Sequence, residues 1–204
     1  HEILEGADWT DPEHVQQVAA ARAPASGLGR EQAQRLADAL RLVVTTPLGG
    51  LWDGALADLP VAERLAELDF DLPLGDRGPA RVVADLAAAM SRHLPTSDPL
   101  APYPARLLAT DAARTSLKGF LTGSIDVVLK LPGGGFVVVD YKTNRLPVLP
   151  DQELSVEHYH PSAMAEAMMQ AHYPLQALLY CAALHRFLAW RLPGYCPEQH
   201  LGGV

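Results

Sequence analysis

The sequence predicts an α/β fold with a helical N-terminal region, and three features carry that prediction. Two apolar, β-branched runs, Ile125-Asp126-Val127-Val128-Leu129 and Phe136-Val137-Val138-Val139, flank the turn signal Pro132-Gly133-Gly134-Gly135 and so read as a β-hairpin of largely buried strands. Segments 12–23, 31–44, 82–93 and 174–190 read as helices. With 204 residues, 49% of them hydrophobic, the chain is large enough for a substantial core in one domain.

In chain order, the helices expected at 12–23 and 31–44 are separated by Ala25-Ser26-Gly27-Leu28-Gly29, and the second places Leu36, Ala39, Leu40 and Val43 on an apolar stripe. Segment 47–54 is a turn-rich connection. Beyond 61–65 the chain alternates, Leu68, Phe70 and Leu72 against Glu67, Asp69 and Asp71, which predicts a strand with an acidic face. A helix at 82–93 leads into a proline-rich stretch, 95–104, without regular structure, and a short strand is expected at 107–110. Gly119 and Gly123, within the strand expected at 118–129, mark a bulge or a close backbone approach by a ligand. Segment 145–160 is a loop; its His158, Tyr159 and His160 match no metal-ligand spacing and read as surface residues. Pro174 fits the first turn of the last helix.

The hairpin also carries the chemistry. Side chains alternate along a strand, so Asp140 and Lys142 project to one face while Val139 and Tyr141 project to the other. Folding back about the glycines brings Asp126 beside Asp140. Carboxylates at the ends of apolar strands are expensive unless a cation matches them. A hard divalent ion held by one or two carboxylates, waters and phosphate oxygens is such a match. Lys142 is one of only three lysines, with Lys118 and Lys130, against thirteen arginines, and its ammonium is suited to an attacked phosphate. An Asp-x-Lys triplet alone describes an edge hairpin running into a turn equally well; the aspartate on the adjacent strand shifts the reading toward metal-dependent phosphodiester chemistry.

Gly123-Ser124-Ile125-Asp126 followed by Val138-Val139-Asp140-Tyr141-Lys142-Thr143-Asn144 resembles the PD-(D/E)xK nuclease superfamily, and within it the C-terminal nuclease domain of RecB subunits from RecBCD-type helicase-nucleases. The likeness extends to Gln176 and Tyr180, four apart on a helix, to His200-Leu201-Gly202-Gly203-Val204 as a closing strand, to Glu67-Leu68-Asp69-Phe70-Asp71-Leu72-Pro73 as a first strand, and to His1-Glu2-Ile3-Leu4-Glu5 as a helix. It spans nearly the whole chain, most specifically 123–204. The resemblance implies a restriction-endonuclease-like core, a central mixed β-sheet flanked by helices, with 1–60 as a helical N-terminal part and 61–204 as the nuclease core of a single domain. It implies a Mg²⁺-dependent deoxyribonuclease of the exodeoxyribonuclease V type, acting in double-strand-break repair and recombination. His1, Asp126, Asp140 and the backbone carbonyl of Tyr141 are then the metal ligands, Lys142 assists the attacking water, and Glu67 positions water or a second ion. Gln176 and Tyr180 touch the DNA backbone or orient the lysine. Imidazole is an unusual Mg²⁺ ligand, so Mn²⁺ is expected to support activity as well. For Asp69 and Asp71 the expectation is a solvated edge, and for His1 an added tag residue stays open beside the ligand role.

Composition narrows the rest. Cys181 and Cys196 argue against a disulfide framework and against the four-cysteine iron–sulfur cluster of some relatives. No apolar run is long enough to span a membrane and no basic-then-apolar leader is present, so a soluble, cytoplasmic protein is expected. A formal charge of −8 suggests weak independent grip on nucleic acid. A helicase part of the same polypeptide, with RecC- and RecD-like subunits, would thread DNA into the site, and both ends of the chain read as cut from a longer polypeptide. Single-stranded DNA is the expected substrate because a flexible strand enters a groove more readily than duplex. Two alternatives stay open: an inactive nuclease fold serving as a DNA-binding or subunit-docking module, and a stand-alone restriction or repair endonuclease.

Overall fold

The computed structural model describes residues 2–50, 52–75, 81–146, 149 and 152–204. The N-terminal part is helical: α1 (Glu2–Gly6), α2 (Pro12–Arg22) and α3 (Arg30–Thr45). Asp11 starts α2, its Oδ1 accepting the amides of Glu13 and His14 at 3.1 Å each, while Pro12 occupies the first turn, where its missing N–H costs nothing. Strand β1 (Arg64–Leu74) follows, then α4 (Val83–His93), α5 (Tyr103–Leu108), β2 (Gly119–Lys130), β3 (Phe136–Val139), α6 (Pro161–Gln170), α7 (Tyr173–Arg191), α8 (Pro197–His200) and β4 (Leu201–Gly203).

Among the described residues the strands form one four-stranded sheet in the order β1-β2-β3-β4. Strands β2 and β3 are antiparallel with Val127 opposite Val139 and Val128 opposite Val138, whereas β3 and β4 are parallel, so the sheet is mixed as expected. The hairpin closes through the Leu131 amide to the Gly135 carbonyl and the Gly134 amide to the Leu131 carbonyl, both 2.8 Å. Gly134 has φ +84°, a left-handed conformation that favours glycine. Strand β1 shows the foreseen alternation, with Leu68, Phe70 and Leu72 half-buried and Glu67, Asp69 and Asp71 exposed.

Contacts divide the chain into two compact units, one made of 1–69, 124–141 and 184–204, the other of 70–123 and 142–183. In the first, Leu4, Trp9, Val15, Val44, Leu56 and Leu59 pack against Val127 and Leu129, with Val139 and Tyr141 against the same cluster. The N-terminal helices therefore cover one face of the hairpin. On its other register, Val128 and Phe136 share a small cavity with Leu184, Phe187 and Leu188 of α7. In the second unit Val83, Ala87, Tyr103, Leu107 and Met169 make a separate core.

Two expectations need correction. Residues 107–110 are not a strand: α5 runs through Leu108, with Pro102 and Pro104 at its start, where proline is tolerated, and with Tyr103 and Leu107 one turn apart and buried at 0% and 1% exposure. The same helix takes Tyr103 and Pro104 out of the irregular stretch. Gly123 is indeed a close approach, but by a side chain of the protein, since a Cβ there would lie 2.6 Å from the Phe70 ring. Among the described residues no helix is long and apolar enough to cross a membrane.

Helices α5 and α6 are pinned by Arg106, whose terminal nitrogens donate to the two oxygens of Glu166 at 2.7 Å each, with Gln170 Nε2 adding a third hydrogen bond at 2.9 Å. The hydrogen bonds from Arg106, then that from Gln170, hold the Glu166 carboxyl down at about 2 against an ordinary 4.5. A depressed folded-state value means that the pair contributes stability above the unfolded value and loses it as the pH falls through the folded one. Arg106→Ala should therefore lower the melting temperature slightly at neutral pH, the pair being half exposed. In thermal melts the difference from the parent should shrink between pH 4.5 and about 2; a difference independent of pH would contradict this.

Candidate active site

Val127 opposite Val139 is the last pair of the β2–β3 register, so Asp126, which precedes the one, and Asp140, which follows the other, both flank the open end of the hairpin. Val139 and Tyr141 pack against the core of the first unit, and Asp126 lines the same cavity as Tyr141. Asp126 Oδ2 accepts the Tyr141 backbone amide at 2.9 Å, which ties the aspartate to the segment that carries Asp140. Tyr141 is anchored by burial, and that burial, followed by the charge of Asp126, pushes its phenol well above the usual range.

Around this pair the first unit gathers more charge. The Glu5 carboxyl is raised above its ordinary 4.5 by burial first, then by the charge of Glu67 and a hydrogen bond with it, and also by Asp126. Glu67 itself has φ +49° in the middle of β1, a left-handed backbone that a branched-free but bulky residue adopts only at a cost. Ser124 Oγ donates to Glu67 Oε2 at 3.4 Å, a long bond. A cavity of about 270 Å³ is lined by Glu5, Asp8, His14, Arg64, Asp126 and Tyr141 with apolar neighbours. Arg64, its side chain only 7% exposed, lies 4.1 Å over the Trp9 ring, 3.7 Å from Asp8, and burial lowers its pKa. Glu5 is the group the sequence reading missed as a site residue; its signal was a second acid in the short helix that precedes the cavity.

Hard oxygen donors are what Asp126 and Asp140 offer, and this donor set suits Mg²⁺ or Mn²⁺. The upward push on Glu5 from neighbouring carboxylates is the electrostatic condition that a cation relieves. Among the described residues no three His, Cys, Asp or Glu side chains converge as a ready metal cluster. His1, the expected imidazole ligand, lies outside the described residues. His158 and His160 instead bond Ser155 and Ser162 locally.

In the second unit the lysine is held. Lys142 Nζ donates to Gln176 Oε1 at 3.0 Å, and Gln176 Nε2 donates to the Tyr180 hydroxyl at 2.8 Å. The one-turn spacing of Gln176 and Tyr180 on α7 makes that second bond possible. Tyr180 meets Phe70 edge to face, centroids 6.2 Å apart. Lys142 Nζ also lies 4.3 Å from the centroid of Tyr173, whose hydroxyl donates to Asn144 Oδ1 at 2.9 Å. Neither Tyr173 nor Asn144 was given a role from sequence, because nothing in their spacing announces a contact across 29 residues.

A model of the PD-(D/E)XK nuclease superfamily matches residues 1–194. The chain is 43% identical over 216 residues to the RecBCD enzyme subunit RecB of Mycobacterium tuberculosis, which covers 100% of this chain and 19% of that protein. It is 45% identical over 174 residues to the RecB subunit of Mycolicibacterium smegmatis, covering 83% of this chain and 16% of that protein. Identity to the Escherichia coli RecB subunit is 28% over 204 residues, 100% of this chain and 16% of that protein. The chain thus spans less than a fifth of the length of these relatives.

The strained backbone and crowded carboxylate at position 67 are both relieved by glycine. Glu67→Gly should raise stability by about 1 kcal/mol, the left-handed penalty less the entropy glycine adds to the unfolded chain. Urea denaturation in chelator-treated buffer measures it, and a loss of stability would show that Glu67 is not strained.

Proposed function

The chain belongs to the PD-(D/E)XK nuclease superfamily, and from that premise we propose that it hydrolyses DNA phosphodiester bonds, single strands in preference to duplex, in a Mg²⁺-dependent reaction of the exodeoxyribonuclease V type. What supports this reading is that Asp126 and Asp140 flank the open end of one hairpin, with Asp126 bonded to the Tyr141 amide next to Asp140, and that Lys142 follows two residues on with its ammonium held by Gln176. Kinship with RecB subunits supports a place in a RecBCD-type helicase-nuclease, working with a helicase part of the same polypeptide and with RecC- and RecD-like subunits on broken DNA in the cytoplasm.

Asp126, Asp140 and the Tyr141 carbonyl would hold the divalent ion, with His1 as a further ligand. When bound, that ion supplies Lewis-acid activation of water and offsets charge on the phosphate. Asp126 keeps its orientation through the Tyr141 amide. Lys142 donates to a non-bridging phosphate oxygen, where negative charge grows as the new P–O bond forms and the bond to the leaving oxygen breaks, while the attacking water gives up a proton to solvent and the leaving oxygen takes one from it. Gln176, bonded to both Lys142 and Tyr180, limits where the ammonium can go. Glu67, with Glu5 beside it, positions a water or a second ion. A net charge of −8 leaves little independent attraction for DNA, which fits a domain fed by a translocating partner.

Release of nucleotides from end-labelled single-stranded DNA tests this. The chain with Mg²⁺ should release them, EDTA should abolish release, and Lys142→Ala and Asp140→Ala should each lower the rate by about 10²-fold or more, as loss of a transition-state contact does. Equal rates for the parent and Asp140→Ala, or faster cleavage of duplex than of single strands, would contradict the reading.

A further inference from the structure

Lys142 carries the ammonium of the proposed chemistry at the end of a four-carbon stem, on an exposed residue, and the chemistry depends on where that ammonium is held. Gln176 supplies a hydrogen bond to it at 3.0 Å. A second restraint comes from the face of the Tyr173 ring, 4.3 Å from Nζ, within the range over which an aromatic quadrupole attracts a cation. That ring is itself fixed. Its hydroxyl donates to Asn144 Oδ1 at 2.9 Å, and the Asn144 carbonyl accepts the Tyr159 hydroxyl at 3.2 Å. At the other end, His172, with φ +57°, turns the chain sharply from α6 into α7, and its Nδ1 is 3.0 Å from the hydroxyl of the fully buried Tyr103. Tyr173 and Gln176 thus leave the first turn of α7 from a start held in the second core.

We propose that Tyr173 is a positioning residue, with Asn144 as its brace: the ring face and the Gln176 amide together confine the Lys142 ammonium to the place where it meets the phosphate. The inference rests on the nuclease reading of Lys142. The ring acts through lysine and does not touch DNA, so its loss slows the chemical step and leaves substrate affinity nearly as it was. The hydroxyl matters only through Asn144, so phenylalanine keeps most of the function.

The test uses the full chain and has two readouts. Lysines carrying ¹³C at Cε give three NMR signals, from Lys118, Lys130 and Lys142. The Lys142 Hε protons should show an upfield ring-current shift in the parent and in Tyr173→Phe, and lose it in Tyr173→Leu. With single-stranded DNA and Mg²⁺, Tyr173→Leu should lower kcat about tenfold with KM changed less than about threefold. Tyr173→Phe should recover kcat to within about threefold of the parent, and Asn144→Ala, in an exposed loop where folding is not at stake, should fall between the two. An unshifted Lys142 signal in an active parent, an unchanged kcat in Tyr173→Leu with a reduced one in Tyr173→Phe, or a rise in KM alone would overturn the inference and leave the nuclease reading standing. A parent that shows the shift but cleaves nothing would overturn the nuclease reading, and the catalytic half of this inference with it.

Discussion

The bond from the Tyr141 amide to Asp126 is the constraint on which the rest depends. It closes the open end of the β2–β3 ladder where regular pairing stops at Val139, and it does so with a side chain in place of a carbonyl. Asp126 is thereby held beside the segment that carries Asp140. Burial first, then the charges of Glu67 and Asp126, push the nearby Glu5 carboxyl upward, which is a standing cost in the protein alone.

The hairpin can carry that cost because the same register buries apolar side chains on both of its faces. Val127 and Leu129, at 2% and 0% exposure, face the N-terminal helices, and Val138, at 1%, is buried in the opposite sense. Each is worth about 1.5–3 kcal/mol, so a few of them outweigh that cost. Sliding the register by one residue would lose both, since every side chain would change face. Packing and chemistry are set by one pairing.

Much of this was legible in the sequence. Alternation around a glycine turn gives the two strands and their register, but β3 stops at Val139, so Asp140, Tyr141 and Lys142 lie beyond the strand on which their alternation was expected. Helices at 12–23, 31–44, 82–93 and 174–190 agree with α2, α3, α4 and α7 to within a residue or so. The failures were physical in kind. Segment 107–110 looked like a strand because prolines in 95–104 masked a helix start that prolines in fact favour. Helix α6 was not anticipated: it is separated from α7 by the left-handed His172, a non-glycine residue that no simple rule assigns to such a backbone. Glu5, Asn144 and Tyr173 were missed because their roles come from contacts distant in sequence. His1, expected as a ligand, is outside the described residues.

The central claim is that the Asp126–Asp140 pair exists to hold a divalent cation. Isothermal titration of Mn²⁺ into the chelator-treated chain, against the same titration into the Asp126→Asn/Asp140→Asn double variant, measures it most directly. The account predicts saturable uptake by the parent and its loss in the variant. Equal uptake by both proteins would contradict it.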